Sequence, residues 1–496
     1  MHHNPAFHPE NSSTNLRSTM DPLVYVIVLN WNGLEHLPVC LNSLRDLSYG
    51  NTKIIMVDNG STDGSQDYVR EKFPGVEVIQ NRKNIGFSPA NNVGMRYALE
   101  RNADYISLLN NDMEVDSGWI TELVAAAESD GTIGACATKM LYFYNRDIIQ
   151  GIGICLNRIA LAWDYLNGRY DLEDTKIDGE VLGSCGGAFF ARANVLRKTG
   201  LFDPAYFTYY EDVELSMRIW DEGYRIVTVP SARVYHKFAA TMVENSRWKN
   251  YLILRNRLRL ILKCFPAPML RRALLDTLRW EIKVGRDNYW KKDYVMIANQ
   301  VRAIFTAALR ALSTVSHRRR TGPIESERLW GFVKKELNPY RVRLPQPPYR
   351  EWDAPKSSAV RPAADSSQLG PGWYLMYDEG DNKFRWFAKE ASLSLRVPQK
   401  EGCSLRIAVG NDYHNLKKIE LIITINGKEI GQFIPEKGWN TYRLPLREAV
   451  GDSILVTLQA GDLYNAEVTG EMTDLSFKVK EVALETGAPC RSRICR

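Results

Sequence analysis

The segment LLNNDMEVD, Leu108 to Asp116, decides the fold, because a run of apolar residues stops abruptly at Asn110, Asn111 and Asp112. That is the pattern of a buried strand ending in oxygen-bearing side chains. In an open α/β sheet the ligand crevice lies beyond the carboxyl ends of the strands, so a carboxylate delivered there is placed for a hard cation and a phosphate. The motif gains weight from its companions: VDNGSTDGS at 57–65, NIGFSPANNVG at 84–94, CGGAFF at 185–190 and YYEDVEL at 209–215.

Around this stretch, from 21 to 245, strand-like runs (YVIVL, KIIMV, VEVI, YISLL) alternate with helical patterns and Gly- or Asn-rich turns. Such alternation predicts βαβ units and an α/β domain with a mostly parallel, Rossmann-like sheet. From 246 to 337 the chain turns helical and basic. Tyr251, Leu254, Leu258, Ile261, Leu262 and Phe265 share one face, beside Arg255, Arg257, Arg259 and Lys263, with Arg271, Arg272 and HRRR at 317–320 further on. An apolar face among cations fits either packing on the preceding domain or contact with a cytoplasmic membrane surface, and the pattern leaves both open. Residues 338–369, rich in Pro, Ser and Ala, read as a linker. From 370 to 485 short period-two segments with turn signals, including Asn426-Gly427, predict a β-sandwich of jelly-roll type. Its Trp373, Tyr374, Trp386 and Phe387 suit core packing, sugar stacking or an oligomer contact. Residues 1–20 read as a disordered leader and 486–496 as a basic tail.

Composition narrows the classes. At roughly 150 residues per domain, 496 residues predict about three domains. No apolar run approaches the roughly 18 residues that span a bilayer. Eight cysteines without a CxxC pair argue against a disulfide framework or zinc knuckle; Cys490 and Cys495 could bridge, though two reduced thiols are the simpler reading. The expected location is cytoplasmic, peripheral on the membrane if the basic helices reach it. The net charge of +6 is carried by local clusters, and the short HRRR run does not support a nucleic-acid partner. A dehydrogenase needs GxGxxG after its first strand, and a nucleotidyltransferase needs a Gly-rich loop with Arg and Lys; LNWNGLEH offers neither.

The candidate site residues follow the strand ends. Asn30, Asn32 and the turn at Gly33 close the first strand, where backbone amides can meet a nucleotide. Asp58 ends the second strand and can accept from a base or ribose, with Asn59 beside it; alternatively Asp58 and Ser61 to Asp63 cap the next helix. Asn84 and Gly86 form a turn, Asn91 can bond a sugar or phosphate oxygen, and Gly94 permits close helix-to-strand approach. Asp112 is a ligand candidate for magnesium or manganese bridging a diphosphate, with Asn110 where a second acid would often stand and Asn111 between. Gly187 and Ala188 place backbone against a sugar, or form a bulged strand. Glu211 and Asp212 open a helix whose dipole favours their ionised forms, so one can act as general base or both can be caps. Tyr209 and Tyr210, with Tyr206 and Phe207, are candidates to wall a sugar site. His236, after a later strand, is either structural or a metal ligand.

Taken together, these motifs resemble family-two inverting glycosyltransferases of the GT-A fold, most nearly the bacterial rhamnosyltransferase-like branch, over about 21–263. The resemblance implies base contact by Asp58, a D-x-D position at Asn110 to Asp112, metal binding by Asp112 and His236, a catalytic base at Asp212 and acceptor support from Glu211. It implies a nucleoside diphosphate sugar as donor, with dTDP-rhamnose first and a UDP-sugar such as UDP-galactofuranose second. A glycan precursor, lipid-linked in one version, is the implied acceptor. The competing class is a non-catalytic glycan-binding scaffold with an inactive transferase domain.

Overall fold

A computed structural model of the chain describes residues 21–143, 145–169, 171, 177, 179–237, 246–290, 292–334, 359–360, 373–379, 382–387, 390–397, 403–411, 420–446, 453–461 and 477–486. The leader, most of the linker, the basic tail and Cys490 and Cys495 lie outside the described residues, as do the side chains of Trp373, Tyr374, Trp386 and Phe387.

The first strands are β1 (Val24–Asn30), β2 (Thr52–Asp58), β3 (Glu77–Gln80) and β4 (Tyr105–Asn110). β1 and β4 are apolar and buried on both faces, as parallel strands covered by helices should be, while β3 at the sheet edge has no buried residue. Completing the set are β5 (Met113–Val115), β6 (Ile133–Tyr142), β7 (Asn145–Gly151), β8 (Ile154–Leu156), β9 (Ala162–Asp164), β10 (Phe189–Arg192) and β11 (Arg225–His236). The main sheet runs β3-β2-β1-β4-β10-β6-β11-β5, with β7 beside β6, while β8 and β9 form a separate hairpin. Strands β1, β2, β3 and β4 are parallel, β10 enters antiparallel between β4 and β6, and β11 is parallel to β6. This is the expected α/β sheet, with antiparallel strands in its second half.

Helices α1 (Leu37–Arg45), α2 (Ser65–Lys72), α3 (Phe87–Glu100), α4 (Trp119–Glu128), α5 (Ala193–Thr199) and α6 (Glu211–Asp221) cover both faces. The alternation along β1 sorts them: Val24, Val26 and Val28 join α1 and α4 in one core, while Tyr25 and Ile27 join α3, α5 and α6 in the other. A Cβ at Gly94 would lie 2.6 Å from Ile27 Cγ2, so a glycine there lets α3 sit close on the sheet.

Downstream come α7 (Ser246–Cys264), α8 (Ala267–Trp290), α9 (Tyr294–Leu309), α10 (Ala311–Thr321) and α11 (Glu327–Gly331). Of the two readings open for α7, the structure takes core packing: Tyr251, Leu254, Ile261 and Phe265 are buried. Arg255, Arg257 and Lys263 are buried as well, Arg259 nearly so, and each reaches a partner, Arg255 through the Tyr206 carbonyl. Lys263 meets Asp203 at 2.7 Å and Glu214 at 2.9 Å, Arg259 meets Asp203 at 2.8 Å, and Arg257 pairs with Glu281 of α8. Beside these charges the Asp203 carboxyl is held below its usual range, the two cations outweighing the effect of burial. The chain then returns to the α/β domain, where Lys334 exchanges backbone hydrogen bonds with Leu156 and Arg158.

Among its described residues the C-terminal region is all β. One sheet orders the strands Trp373–Glu379, Asn382–Phe387, Lys478–Thr486, Cys403–Asn411 and Gly438–Pro445; the other orders Glu390–Arg396, Ser453–Ala460, Leu421–Ile425 and Lys428–Phe433. Leu393, Leu395, Val456 and Leu458 from one sheet share a core with Leu405, Ile407, Val409 and Val482 from the other. The turn at Asn426-Gly427 takes φ of 49° and 80°, the left-handed pair a two-residue hairpin needs.

Candidate active site

Parallel pairing sets Asn30 opposite Asp58 and Leu29 opposite Asn110, so the ends of β1, β2 and β4 open on one edge. There a dense amide network forms. Asn30 donates to Asp58 Oδ2 at 3.0 Å and accepts from Asn111 Nδ2 at 2.6 Å. Asp58 also accepts from the amides of Gly60 and Ser61 at 3.1 and 3.0 Å and from Gln66 at 2.7 Å. Asp58 is fully buried, so its side chain organises the turn. Asn32, at φ 49°, accepts from Thr62 N, and Asp63 accepts from Leu34 N and Ser65 N; Asp63 therefore braces two loops, while α2 begins after Gly64. Asn59 binds Asn84 and Gly86 O and accepts from Asn81 and Ile85 N, which leaves its amide occupied. A Cβ at Gly33 would lie 1.9 Å from Asn111 Nδ2, so a larger residue there would displace Asn111 from Asn30.

Beyond this network the crevice has two charged ends. At one, Asp112 Oδ2 lies 3.3 Å from His236 Nε2, brought together because Met113 pairs with His236 across β5 and β11. Asp112 Oδ1 is buried with no hydrogen-bond partner. Gln150 Oε1, 2.8 Å from His236 Nδ1, can accept that nitrogen's proton, so Nε2, which donates to Asp112 when the ring is protonated, is the nitrogen whose lone pair is free for a metal when the ring is neutral. His36, ahead of α1, acts on the same carboxylate. Burial pushes the Asp112 carboxyl up, but the charge and hydrogen bond of His236, then His36, bring it below its usual value. In return His236 is raised: burial acts downward, and Asp112, with Asp164 behind it, outweighs it. The donor set, an orphaned carboxylate oxygen beside an oriented imidazole, fits a divalent cation. Among the described residues no third His, Cys, Asp or Glu completes a cage, so oxygens from outside this set would have to fill the remaining positions.

At the other end α6 begins with Glu211 and Asp212. The turn feeding it is strained: Phe207, Tyr209 and Tyr210 all have positive φ, of 68°, 70° and 74°. Non-glycine residues hold such angles only when surroundings enforce them, at about 1 kcal/mol or more each. The enforcing residue is Asn256 of α7, buried in the helix, whose Nδ2 reaches the carbonyls of Tyr206, Thr208 and Tyr209 at 3.0, 2.8 and 2.7 Å. Ser88 N donates to Phe207 O, and the Phe207 ring packs where Gly86 has no side chain. The four aromatics do not share one wall. Tyr206 is core, Tyr210 is buried with its hydroxyl on Ala160 O at 2.8 Å, and Tyr209 packs toward α7. The left-handed backbone at Tyr209 and Tyr210 turns their rings into the protein.

Asp212 Oδ2 accepts from Gly186 N at 2.9 Å and Oδ1 from Val213 N at 2.8 Å. Gly186–Ala188 is a short 3-10 turn, and a Cβ at Gly187 would come 3.1 Å from Asn110 Nδ2. The glycine pair thus separates the Asp212 end from the Asn110–Asp112 end. Glu211 Oε2, Ser88 Oγ and Asn91 Oδ1 are buried without hydrogen-bond partners, unmet polar atoms along the N-terminal turns of α3 and α6. The helix dipole does not dominate here as the sequence suggests. Burial raises the Asp212 carboxyl, and burial followed by the Asp212 charge raises Glu211 well above the ordinary range. Asp164, on the β8–β9 hairpin, is pushed up to about 7 by burial and then by Asp212, with His236 pulling the other way.

Sequence reasoning missed Gln150, Asp164, His36 and Asn256. His36 stands in the LNWNGLEH turn and Asn256 interrupts an apolar helix face, two legible signals; Gln150 and Asp164 belong to hairpins without a motif.

Residues 25–200 match the family model described as glycosyl transferase family 2. The match ends before Glu211, so the roles of α6 rest on geometry. The chain is 26% identical over 239 residues to an N-acetylglucosaminyl-diphospho-decaprenol L-rhamnosyltransferase of Mycobacterium tuberculosis, covering 44% of this chain and 76% of that protein. It is 23% identical over 258 residues to a low-salt glycan biosynthesis hexosyltransferase of Haloferax volcanii, covering 50% and 78%. A solved mannosyltransferase from Pyrobaculum calidifontis, in complex with GDP-Man and Mn2+, is similar at a TM-score of 0.39 and 17% identity, over 63% of this chain and 84% of that one. With its strand-end crevice and mostly parallel sheet, the chain carries a family-two glycosyltransferase domain of the GT-A fold and is a glycosyltransferase.

Proposed function

We propose that the enzyme moves a sugar, L-rhamnose from dTDP-rhamnose as the first candidate, to a hydroxyl of a lipid-linked glycan precursor with inversion at the anomeric carbon. The observation that carries this reading is the placement of Asp212 on one side of the Gly186–Gly187 turn and of Asn110, which leads into Asp112 and His236, on the other. A base and an anion-binding end on opposite sides of a small-residue floor are what one in-line displacement needs.

In this mechanism Asp212 accepts the proton of the acceptor hydroxyl as that oxygen attacks. The upward shift of its carboxyl suits the role, since a base works best with a pKa near the operating pH. Two backbone amides fix the carboxylate's orientation, which limits the reorganisation the step requires. Glu211, held toward its neutral form, offers a proton to an acceptor oxygen. Asp112 Oδ1 and His236 Nε2 would hold the divalent cation, which supplies charge neutralisation for the departing diphosphate. The strand-end turns at Asn30, Asn32 and Asp58 form the nucleotide edge. The name of the Mycobacterium tuberculosis relative supports the choice of rhamnose and of a diphospho-polyprenol acceptor; UDP-galactofuranose is the next donor in line.

The test is a donor panel of dTDP-, UDP- and GDP-sugars with manganese or magnesium, read as nucleoside diphosphate release, with Asp212→Asn as control. Metal-dependent turnover of one donor, lost in the variant, is expected. Folded protein that neither binds nor turns over any donor contradicts the proposal.

A further inference from the structure

Of the seventeen exposed large apolar side chains among the described residues, twelve lie on α8, α9 and α10. Leu275, Leu278, Ile282 and Tyr289 repeat at helical spacing along α8, and Val301, Phe305, Leu309 and Leu312 continue along α9 into α10. An ordinary soluble surface scatters such residues singly. Here they form one face of a layer whose other face is fastened down. Glu281 is bound by Arg257 of α7 and by Gln300 of α9, and Gly285 admits Gln300 at close range. The apolar side chains are therefore presented outward by a braced scaffold.

The charge around that face has one sign. Residues 267–320 contain twelve Lys and Arg against four Asp and Glu, an excess larger than the +6 of the whole chain. Glu281 is committed inward, to Arg257 and Gln300, and Asp276 pairs with Arg158 as well as with Arg272 and Arg279 on the surface. Arg272, Arg279 and Arg286 are exposed. Tyr289, Trp290 and Tyr294 cluster where α8 turns into α9, the residue types that settle at a membrane-water boundary. Two copies of this chain meeting through the face would bring like charges together, whereas an anionic lipid surface neutralises them. No helix among the described residues is long and apolar enough to cross a membrane.

We infer that the outer face of α8–α10 docks the enzyme on an anionic lipid bilayer, its apolar side chains entering the interface and its Lys and Arg meeting the headgroups. The face lies one helix from the chemistry. Ala303 of α9 packs with Tyr251, Leu252 and Leu254 of α7, and Phe207 and Tyr209 of the strained turn join the same cluster. Docking would bring a lipid-anchored acceptor toward the Asp212 end. That consequence rests on the transferase reading; the docking does not.

The experiment is co-sedimentation of the full chain with phosphatidylcholine vesicles, with and without about 30% phosphatidylglycerol. The comparison protein carries Ile282→Asp, Phe305→Asp and Leu312→Asp, all at exposed positions, with its melting temperature as a check on folding. The expected results are binding to the anionic vesicles, weakening in about 0.5 M salt, and at least about tenfold weaker binding by the triple variant. The inference is overturned if the parent chain stays in the supernatant, or if the folded variant binds equally well. It is also overturned if the triple substitution converts a dimer into a monomer, which would give the face to a second copy. Nucleoside diphosphate release from the donor panel, measured on the same samples, reports the transferase reading separately.

Discussion

At one end of the crevice Asp112 is buried against His236 and within the field of His36, and its carboxyl is held below the usual range. At the other end Glu211 and Asp212 are buried side by side, with two backbone amides on Asp212 and no cation among the described residues facing either, and both are pushed up. The same chemical group, buried to a similar degree, is tuned in opposite directions by what faces it. An imidazole neighbour keeps a carboxylate ionised and suited to a cation, while burial with no facing cation prepares one to take up a proton. The two ends should therefore fail differently when altered.

Asp212→Asn should have the largest effect, a rate loss of about a thousandfold with donor and metal binding retained, read from initial rates of transfer. Asp112→Asn, or chelation of the metal, should cost on the order of a hundredfold, and the loss should include metal binding. Gln150→Ala removes the partner of His236 Nδ1 and should weaken metal affinity about tenfold, measured by titration calorimetry, with transfer recovering at high metal concentration.

Smaller effects should appear as changes with pH. Activity should rise as pH increases through the ionisation of Asp212, and Asp164, at about 7, titrates in the same neighbourhood. Asp164→Asn removes the group that titrates at about 7 and leaves Asp212 raised by burial alone, so the acidic limb of the kcat/KM profile should move to lower pH. An unmoved or alkaline-shifted limb would separate Asp164 from the base. Glu211 has a folded pKa above its ordinary 4.5, so the folded state holds its proton after the unfolded state has lost it. Stability from this group is then present below about pH 4.5 and falls as pH rises toward the folded value. Glu211→Gln should raise the melting temperature relative to the parent at pH 8 and change it little at pH 4, by thermal denaturation.

Much of the fold is legible in sequence because β1, β2 and β4 announce themselves as apolar runs that stop at polar residues, and the Asn426-Gly427 turn fixes a hairpin. The site is legible where it sits at such stops: Asn30, Asp58, Asp112 and the α6 start at Glu211. Residues that act by crossing between elements leave weaker traces. Gln150 reaches His236 from 86 residues away, and Asn256 shapes the Tyr206–Tyr209 backbone from a helix whose basic, apolar pattern fitted a membrane surface equally well. Composition could not tell α7 from α8–α10, because both are basic and amphipathic. What separates them is the presence of Asp203, Glu214 and Glu281 opposite the cations of α7, a matter of tertiary partners. The Tyr210 ring was misleading for a related reason: a left-handed backbone angle, invisible in the sequence, turns it toward Ala160.

The central claim is the division of labour between the two ends, and the direct test measures manganese binding and sugar transfer on the same two variants. Asp212→Asn should bind the metal and the donor as the parent does while transferring almost nothing, and Asp112→Asn should lose metal binding together with activity. If Asp212→Asn transfers sugar at the parent rate, or if Asp112→Asn binds manganese unchanged, the assignment of base and cation ends is contradicted.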